Sequence, residues 1–422
     1  MTLASFTVDN YRSFADPTLI ELRPLTLLFG YNSAGKSSLL RALPLLAASC
    51  SPGTTTPLAL GSALVRGASF GDLCSRMSDR RELRFGLTWR SPSGEQESLA
   101  LRIREIESRR EQVVEQFKID GEEALEALWE PEEDVTNGSR YVFSSQEGRT
   151  VGMLDFEGLV PSPRDRASIG VFASGTIERV GVRLRDFAAA LHWLGPLRAA
   201  PPRTAPYVSR PRSIGASGDE AARIIAYDLL NNGPLLRTVS SWYEGATKHR
   251  LELLLEAERF KAAMSRLDAP HAQIPLVDTG EGMVQVLPVL VLAAQALHGQ
   301  LGEAPILAIE HPELHLHPAA EQELAALFTK LAADQPTATS ILETHSPIFL
   351  SRVQLAIVRG EIPRESVVVY WVREGDDGRS VADKITFDEL ARPTPMWPPS
   401  VFSEELEQAR AIMEERSKKV GQ

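Results

Sequence analysis

The sequence predicts an α/β fold in which a mixed sheet is accompanied by an antiparallel β region and a short helical region. Three observations predict it. Residues 25–48 read as a buried strand, a glycine-bearing loop and a helix in that order. Residues 306–342 read as strand, helix, strand, the order that forms parallel sheets. Segments between residues 82 and 150 alternate apolar with polar side chains, which is typical of antiparallel strands.

The length of 422 residues exceeds that of a usual single hydrophobic core. One large two-lobed unit or two domains are therefore expected. The boundaries that fit the pattern changes are an N-terminal lobe at 1–200, a helical subdomain at 201–277 and a C-terminal lobe at 278–422, together forming one composite unit. Hydrophobic residues make up 43% and charged residues 24% of the chain, which is the composition of an ordinary globular protein and excludes a disordered one.

Composition also indicates the compartment. The longest mostly apolar stretch, 286–297, is about twelve residues, too short to span a bilayer, and the N-terminus has no charged-then-apolar leader. Cys50 and Cys74 show no metal-ligand spacing and cannot form a disulfide framework. We expect a cytoplasmic protein without a membrane partner.

The net charge of -11 excludes a protein that coats nucleic acid with its whole surface. A confined basic stretch at 198–212 remains, and either a solvated loop or a contact with nucleic acid or nucleotide explains it. Its basic residues are Arg198, Arg203, Arg210 and Arg212.

In the N-terminal half, Pro44 does not prevent the helical pattern at 38–48. A second alternating region at 181–194 predicts further strand structure. The remaining strands are expected at 4–8, 18–22, 25–29, 83–89 and 99–106.

In the C-terminal half, a helical pattern at 220–267 is broken at 231–234, and no heptad repeat runs long enough to predict a coiled-coil arm. The other elements expected here are strands at 306–309 and 340–342 and helices at 319–331 and 403–419.

Residues 30–37, with the sequence Gly-Tyr-Asn-Ser-Ala-Gly-Lys-Ser, fit the phosphate-loop pattern. In that pattern, glycines let backbone amides wrap phosphates at a helix N-terminus. Lys36 supplies a positive charge, and Ser37 carries the hydroxyl expected on a magnesium ion. A carboxylate should complete the metal site, and Glu310 ends a buried strand where one is needed. This pattern predicts nucleotide binding.

Three histidines follow Glu310. His311, His315 and His317 suit zinc, but His315 and His317 alternate with leucines just before a helix, where packing or capping explains them equally well. His345 follows the next strand and should emerge at the same sheet edge, as a γ-phosphate sensor or as an ordinary strand-end histidine.

Taken in order, these motifs resemble the ABC-like ATPase heads of the RecF, SMC and overcoming-lysogenization-defect type, a group often described simply as AAA-family ATPases. Residues 10–14 look like the opening strand motif, and 280–285 look like the signature motif. Glu310 falls at the Walker B acid, and His345 matches the switch histidine. Residues 195–198 and 397–398 are similar to a bacterial subgroup with a C-terminal domain of unknown function.

The resemblance implies ATP and Mg²⁺ as cofactors, with Ser37 and Glu310 at the metal. It assigns catalytic roles to Glu310, His311 and His345. The residues it assigns to nucleotide binding are Arg12, Asn32, Ser33, Ala34, Gly35, Lys36, Ser37, Ser38, Gly280, Gly282 and Gln285.

The same resemblance implies a homodimer in which two heads sandwich ATP, and an ATPase that acts on nucleic acid or on a separate effector protein, as in bacterial anti-phage defence. His311 stands where many relatives have a catalytic glutamate, and Val284 stands where the signature usually has serine, so slow turnover is expected. The usual Q-loop glutamine is not evident, and 70–73 fall in that region. A RecF-like DNA-repair ATPase and a scaffold that binds ATP without hydrolysing it are the alternatives.

Overall fold

The computed structural model describes residues 1–131, 139–164, 169–206, 211, 213–256 and 258–397. Arg210, Arg212, the predicted C-terminal helix and the second residue of the 397–398 motif lie outside these ranges.

The N-terminal half forms an antiparallel sheet of nine strands, in the order β10-β9-β8-β7-β6-β5-β4-β1-β2. The alternation predicted between residues 82 and 150 is confirmed. Every second side chain is buried along all of β4 (Glu82–Arg90) and along most of the length of β5 (Gln96–Ile106). The strands are β1 (Thr2–Asp9), β2 (Thr18–Glu21), β4 (Glu82–Arg90), β5 (Gln96–Ile106), β6 (Glu111–Asp120), β7 (Leu125–Trp129), β8 (Ser139–Ser145), β9 (Gly148–Glu157) and β10 (Val160–Pro163).

A mixed sheet of seven strands joins the two halves of the chain, in the order β11-β16-β17-β3-β18-β19-β20. The N-terminal strand β3 lies between the C-terminal strands β17 and β18 and is parallel to both. The two halves therefore build one sheet. Its strands are β3 (Leu25–Gly30), β11 (Leu191–Leu194), β16 (Ile306–Glu310), β17 (Thr339–Thr344), β18 (Val367–Glu374), β19 (Ser380–Phe387) and β20 (Pro393–Thr394).

Both faces of this sheet are covered. Leu27 packs into a core shared with the C-terminal helices, and Leu28, on the opposite face, packs into a core shared with the first helix and the antiparallel sheet. A strand buried on both faces is mostly apolar, which explains the run of apolar residues in β3, interrupted only by the buried Thr26. The helices are α1 (Lys36–Ser49), α2 (Phe70–Leu73), α3 (Val171–Ala190), α4 (Ala221–Leu230), α5 (Leu235–Thr247), α6 (Glu281–Leu297), α7 (Pro318–Asp334) and α8 (Pro347–Val358).

The predicted α/β fold class is confirmed, with two corrections to its elements. Residues 181–190 are the end of helix α3 and not a strand, since Ile177, Val180, Leu184 and Phe187 are buried at helical spacing. Only β11 is extended there.

The helical prediction beyond Thr247 is also wrong. A small sheet follows, made of β12 (Ala205–Pro206), β13 (His249–Glu256), β14 (Arg259–Arg266) and β15 (Ala269–Pro275). Leucine, alanine, glutamate and lysine have high helix propensity, but pairing of β13 with β14 buries Leu251, Phe260 and Met264 and overrides it. The boundaries at residues 200 and 277 stay predictions. No helix among the described residues has the length and apolar character needed to cross a bilayer.

Candidate functional site

The predicted phosphate loop connects β3 to α1 at the carboxyl end of the mixed sheet. Gly30 has φ 150°, and a Cβ there would lie 2.0 Å from the Val372 carbonyl oxygen on the neighbouring strand. Gly35 has φ 104°, and a Cβ there would lie 2.7 Å from Ser13 Oγ. The loop thus requires glycine at both positions because of backbone conformation and close packing.

Lys36 is the first residue of α1 and is only 2% exposed. Its Nζ donates hydrogen bonds to the carbonyl oxygens of Gly30 at 3.0 Å and Tyr31 at 2.6 Å. Burial lowers the pKa of Lys36 to about 8, and the carboxylates of Glu343 and Glu313 oppose that shift. The ammonium group therefore lies against the phosphate loop, where it would contact a bound phosphate group.

A cavity of about 420 Å³ opens beside this loop. It brings together most of the residues that sequence reasoning assigned to nucleotide binding and catalysis, and Asp72 of α2 borders it, where the Q-loop region was expected. The predicted residues that line it are Arg12, Asn32, Ser33, Gly35, Lys36, Ser37, Ser38, His311 and His345, and the others are Ser13, Asp72, Cys74, Arg76, Met77, Glu343 and Gly378. Ala34 is buried within the loop, and its carbonyl accepts a hydrogen bond from Ser380 Oγ at 2.7 Å.

Glu343 is the carboxylate that contacts the loop hydroxyl. Ser37 Oγ donates to Glu343 Oε1 at 2.6 Å, while Glu343 Oε2 is buried with no hydrogen-bond partner. Burial raises the pKa of Glu343 to about 7, and the hydrogen bond from Ser37 opposes this shift. Glu343 was not singled out from the sequence. Two features mark Glu343 as a site residue. It lies in the buried strand β17, and it pairs with Glu310 of the neighbouring strand β16.

Glu310 has different partners from those predicted. Arg41, one turn into α1, donates to Glu310 from Nε at 2.7 Å and from Nη2 at 2.6 Å. Trp193 Nε1 donates to the same carboxylate at 3.0 Å. Glu310 is fully buried. The structure therefore brings Ser37 to Glu343, not to Glu310, and nothing in the sequence pattern marked Arg41.

His311 and His345 face each other on the cavity wall. Their ring centroids are 5.1 Å apart with planes inclined by 14°, and His311 Nε2 lies 3.6 Å from Glu343 Oε1. Burial lowers the pKa of both imidazoles, that of His345 to about 4. Both rings are therefore neutral near pH 7.

His315 and His317, the other two histidines that follow Glu310, are exposed. His317 caps α7, because its Nδ1 accepts from the Ala319 amide at 3.4 Å. Capping is thus the explanation that the structure supports for His317. His315 lies in the same exposed turn.

The predicted signature segment lies at the start of α6, with Gly280 as N-cap. A Cβ on Gly282 would lie 2.3 Å from the His315 carbonyl oxygen, so glycine permits close contact with the turn before α7. Gln285 is buried and exchanges hydrogen bonds with the Arg198 backbone, at 3.2 and 3.0 Å. Among the described residues, those that line the cavity do not include this segment.

Arg198 belongs to the basic stretch at 198–212, for which a solvated loop and a contact with nucleic acid or nucleotide were both left open, and its side chain is buried rather than exposed on a loop. The side chain is 5% exposed and donates to the carbonyl oxygens of Glu310 and of His311, the latter at 3.0 Å. Burial lowers the pKa of Arg198 to about 10. Arg203 is exposed, but Asp278 binds its guanidinium with two hydrogen bonds of 2.7 and 2.6 Å. Arg198 therefore supports the strand end that carries Glu310.

Residues 1–79 and 243–350 match the family model described as the AAA ATPase domain. The phosphate loop and Arg41 fall in the first segment, and Glu310, His311, Glu343 and His345 fall in the second. The chain also resembles the crystal structure of the SmcHead bound to the C-winged helix domain of ScpA, with a TM-score of 0.53 and 10% identity over 92% of this chain and 99% of that one. Two segments of the chain thus match an AAA ATPase domain, and the chain has the fold of an SMC head.

Two further SMC heads align with the chain at lower scores. The SMC head domain from Thermotoga maritima has a TM-score of 0.45 and 11% identity over 92% of this chain and 100% of that one. A Smc head domain with an extended coiled coil, bound to the C-terminal domain of ScpA derived from Pyrococcus furiosus, has a TM-score of 0.49 and 11% identity over 99% of both chains. No curated protein matches the chain by sequence.

Proposed function

We propose that this protein is an ATP-gated dimeric switch that binds ATP with Mg²⁺ and hydrolyses it slowly. The observation that carries the proposal is the cavity beside the phosphate loop. It collects a lysine, a serine hydroxyl, a carboxylate and two imidazoles at the carboxyl end of the mixed sheet. This is the edge at which open α/β sheets bind ligands.

Lys36 and the start of α1 are the groups that bind the phosphates. Backbone amides at the N-terminus of a 14-residue helix present partial positive charge to an anion. Lys36 adds a full charge, and phosphate oxygens replace the loop carbonyls that it contacts here. Arg12 lines the same cavity and supplies a second cation.

The oxygens on the cavity wall fit a magnesium ion. Mg²⁺ prefers oxygen ligands, and the wall offers the Ser37 hydroxyl and the Glu343 carboxylate, one oxygen of which is buried without a partner. Ser37 and Glu343 would hold the ion, and Glu310 would join them when Arg41 releases it. When bound, Mg²⁺ neutralises charge on the transferred phosphoryl group.

His311 is the residue that we assign to the attacking water. It is half-buried beside the cavity, and a neutral imidazole accepts a proton near physiological pH. The His345 ring stacks nearly parallel to it and would limit the movement of His311, and we assign His345 to the γ-phosphate. With an imidazole in place of the usual glutamate, we expect turnover to be slow.

The signature segment supports a dimer. Gly280 and Gly282 stand at the N-terminus of α6, which suits contact with an anion, yet they do not line the cavity of their own subunit. A second copy would place this segment against the γ-phosphate. ATP then holds the two heads together, and hydrolysis releases them.

Two measurements on the purified protein test the switch. They are the steady-state rate of ATP hydrolysis and the oligomeric mass with and without ATP. Wild type should turn over ATP slowly and form a dimer with ATP, Lys36→Ala should do neither, and Glu310→Gln should dimerise without turnover. Dimerisation without turnover in the wild type would favour the scaffold. Monomers at saturating ATP would refute the dimeric switch. Stimulation by DNA would favour the RecF-like alternative.

For the biological setting we propose cytoplasmic defence against bacteriophage together with a separate effector protein, a use that similar heads have. Two unpaired cysteines, Cys50 and Cys74, suit a reducing compartment. Phage plating on bacteria that express the wild type with its neighbouring genes, compared with Lys36→Ala, tests this role. Equal plating on both strains would contradict it.

A further inference from the structure

We propose that His311, Glu343 and His345 form a binding site for a transition-metal ion of the Zn²⁺ class in the nucleotide-free protein. The three residues come from two strand ends, since His311 follows β16 directly and the other two come from the end of β17 and the turn after it. The inference goes beyond the proposed function, because it needs no nucleotide.

The geometry comes close to that of a metal site before any ion binds. One ligand atom from each of the three side chains lies within 4.8 Å of the others. Tetrahedral ligands at about 2.1 Å from zinc are roughly 3.4 Å apart. His311 Nε2 and Glu343 Oε1, at 3.6 Å, already meet that spacing. The other pairs, at most 4.8 Å apart, have to close by at most about 1.4 Å, which requires the two stacked imidazoles to rotate toward one ion.

A second observation points to a ligand. Glu343 is 2% exposed and lines the cavity, yet its Oε2 has no hydrogen-bond partner among the described residues. A buried carboxylate oxygen without a partner is unfavourable. A cation bound between Glu343 and the two imidazoles provides that partner.

The donor set indicates which cations bind. Two imidazole nitrogens and one carboxylate suit zinc, iron, cobalt and nickel, whereas Mg²⁺ prefers oxygen ligands alone. Three protein ligands also leave coordination positions for water, as in catalytic zinc sites. The nucleotide-free site should therefore select Zn²⁺ or Co²⁺ over Mg²⁺.

Binding of this ion has a consequence for the ATPase. In the proposed function Ser37 and Glu343 hold Mg²⁺, so an ion already bound to the Glu343 carboxylate takes the position that Mg²⁺ needs. We expect Zn²⁺ and Mg²⁺-ATP to compete for the cavity. Zinc would then keep the switch in its nucleotide-free state.

Calorimetric titration of the tag-free, full-length protein with Zn²⁺, in the absence of nucleotide, tests the site. Wild type should bind one ion per chain, and Glu343→Gln and His345→Ala should each weaken binding at least about tenfold. Glu343→Gln keeps an oxygen acceptor for Ser37, which protects the fold. The matched control is His317→Asn, since asparagine also caps a helix and His317 lies outside the cluster.

Co²⁺ gives a second readout, because nitrogen ligation changes its visible absorption spectrum. The spectrum of wild type and His317→Asn should show this change, and that of His345→Ala should lack it. Unchanged Zn²⁺ affinity in both cluster variants, or an equal loss in the control, would overturn the proposal. Binding of ATP with Mg²⁺ is measured separately, so a failure of the proposed function leaves the zinc result interpretable.

Discussion

Replacing Arg41 by methionine tests the partner that the structure gives to Glu310. The Glu310 carboxylate side chain is 1% exposed and the Arg41 side chain 16%, and two hydrogen bonds of 2.7 and 2.6 Å join them. Methionine keeps the apolar stem but leaves the buried charge without its cation. Breaking a buried pair in this way costs about 3–5 kcal/mol of folding free energy. Because Trp193 still donates its hydrogen bond to Glu310 in this variant, we expect the loss of folding free energy to lie near the lower end of that range.

A double-mutant cycle, with stability measured by urea unfolding, separates the interaction energy of Arg41 and Glu310 from the destabilisation that each substitution causes by itself. The four proteins are wild type, Arg41→Met, Glu310→Gln and the double variant, with no nucleotide present. The double variant should be less destabilised than the sum of the single variants by at least about 1 kcal/mol. Arg203→Ala breaks an exposed pair with Asp278 and should change stability by less than about 1 kcal/mol. Additivity within about 0.5 kcal/mol would refute the reasoning.

Three further substitutions test other contacts. Gly30→Ala should lower the urea midpoint strongly or prevent folding, since the new Cβ would lie 2.0 Å from the Val372 carbonyl oxygen, and wild-type stability would contradict the loop geometry. Gly282→Ala should keep ATP affinity but weaken ATP-dependent dimerisation, because a Cβ 2.3 Å from the His315 carbonyl oxygen shifts the signature segment; a wild-type dimer in size-exclusion chromatography would count against this. Arg198→Met should destabilise the fold by about 1–3 kcal/mol, since buried carbonyls lose their donor, and unchanged stability would show that the guanidinium is not needed there.

Local patterns predicted the fold best where one segment determines its own structure. The apolar strand β3, the glycines of the phosphate loop and the helix expected at 319–331 were predicted correctly from the sequence. Residues 249–266 did not, because their side chains favour helix and only pairing between β13 and β14 makes them strands. Residues 181–190 were predicted as strand because an alternating pattern also fits the buried spacing of α3 over a few residues.

The same distinction holds for the candidate site, where local motifs were predicted and contacts across the sheet were not. Lys36, Ser37, His311 and His345 were predicted because each occupies a motif position at a strand end or loop. Partner choice was not predictable, because it depends on distances across the sheet. The strand pairing places Glu310 and Glu343 side by side, but only the structure shows that the first is held by a helix arginine and the second by Ser37.

Equilibrium binding of ATP, measured by calorimetry at constant Mg²⁺, tests the central claim most directly. The account predicts saturable binding of one ATP per chain to the wild type and a loss of at least about tenfold in Lys36→Ala, because one charged phosphate contact contributes roughly 1.5–3 kcal/mol. Both proteins should have the same circular dichroism spectrum. Absence of binding to the wild type at millimolar ATP, or equal affinity in both proteins, would contradict the assignment of the cavity as the nucleotide site.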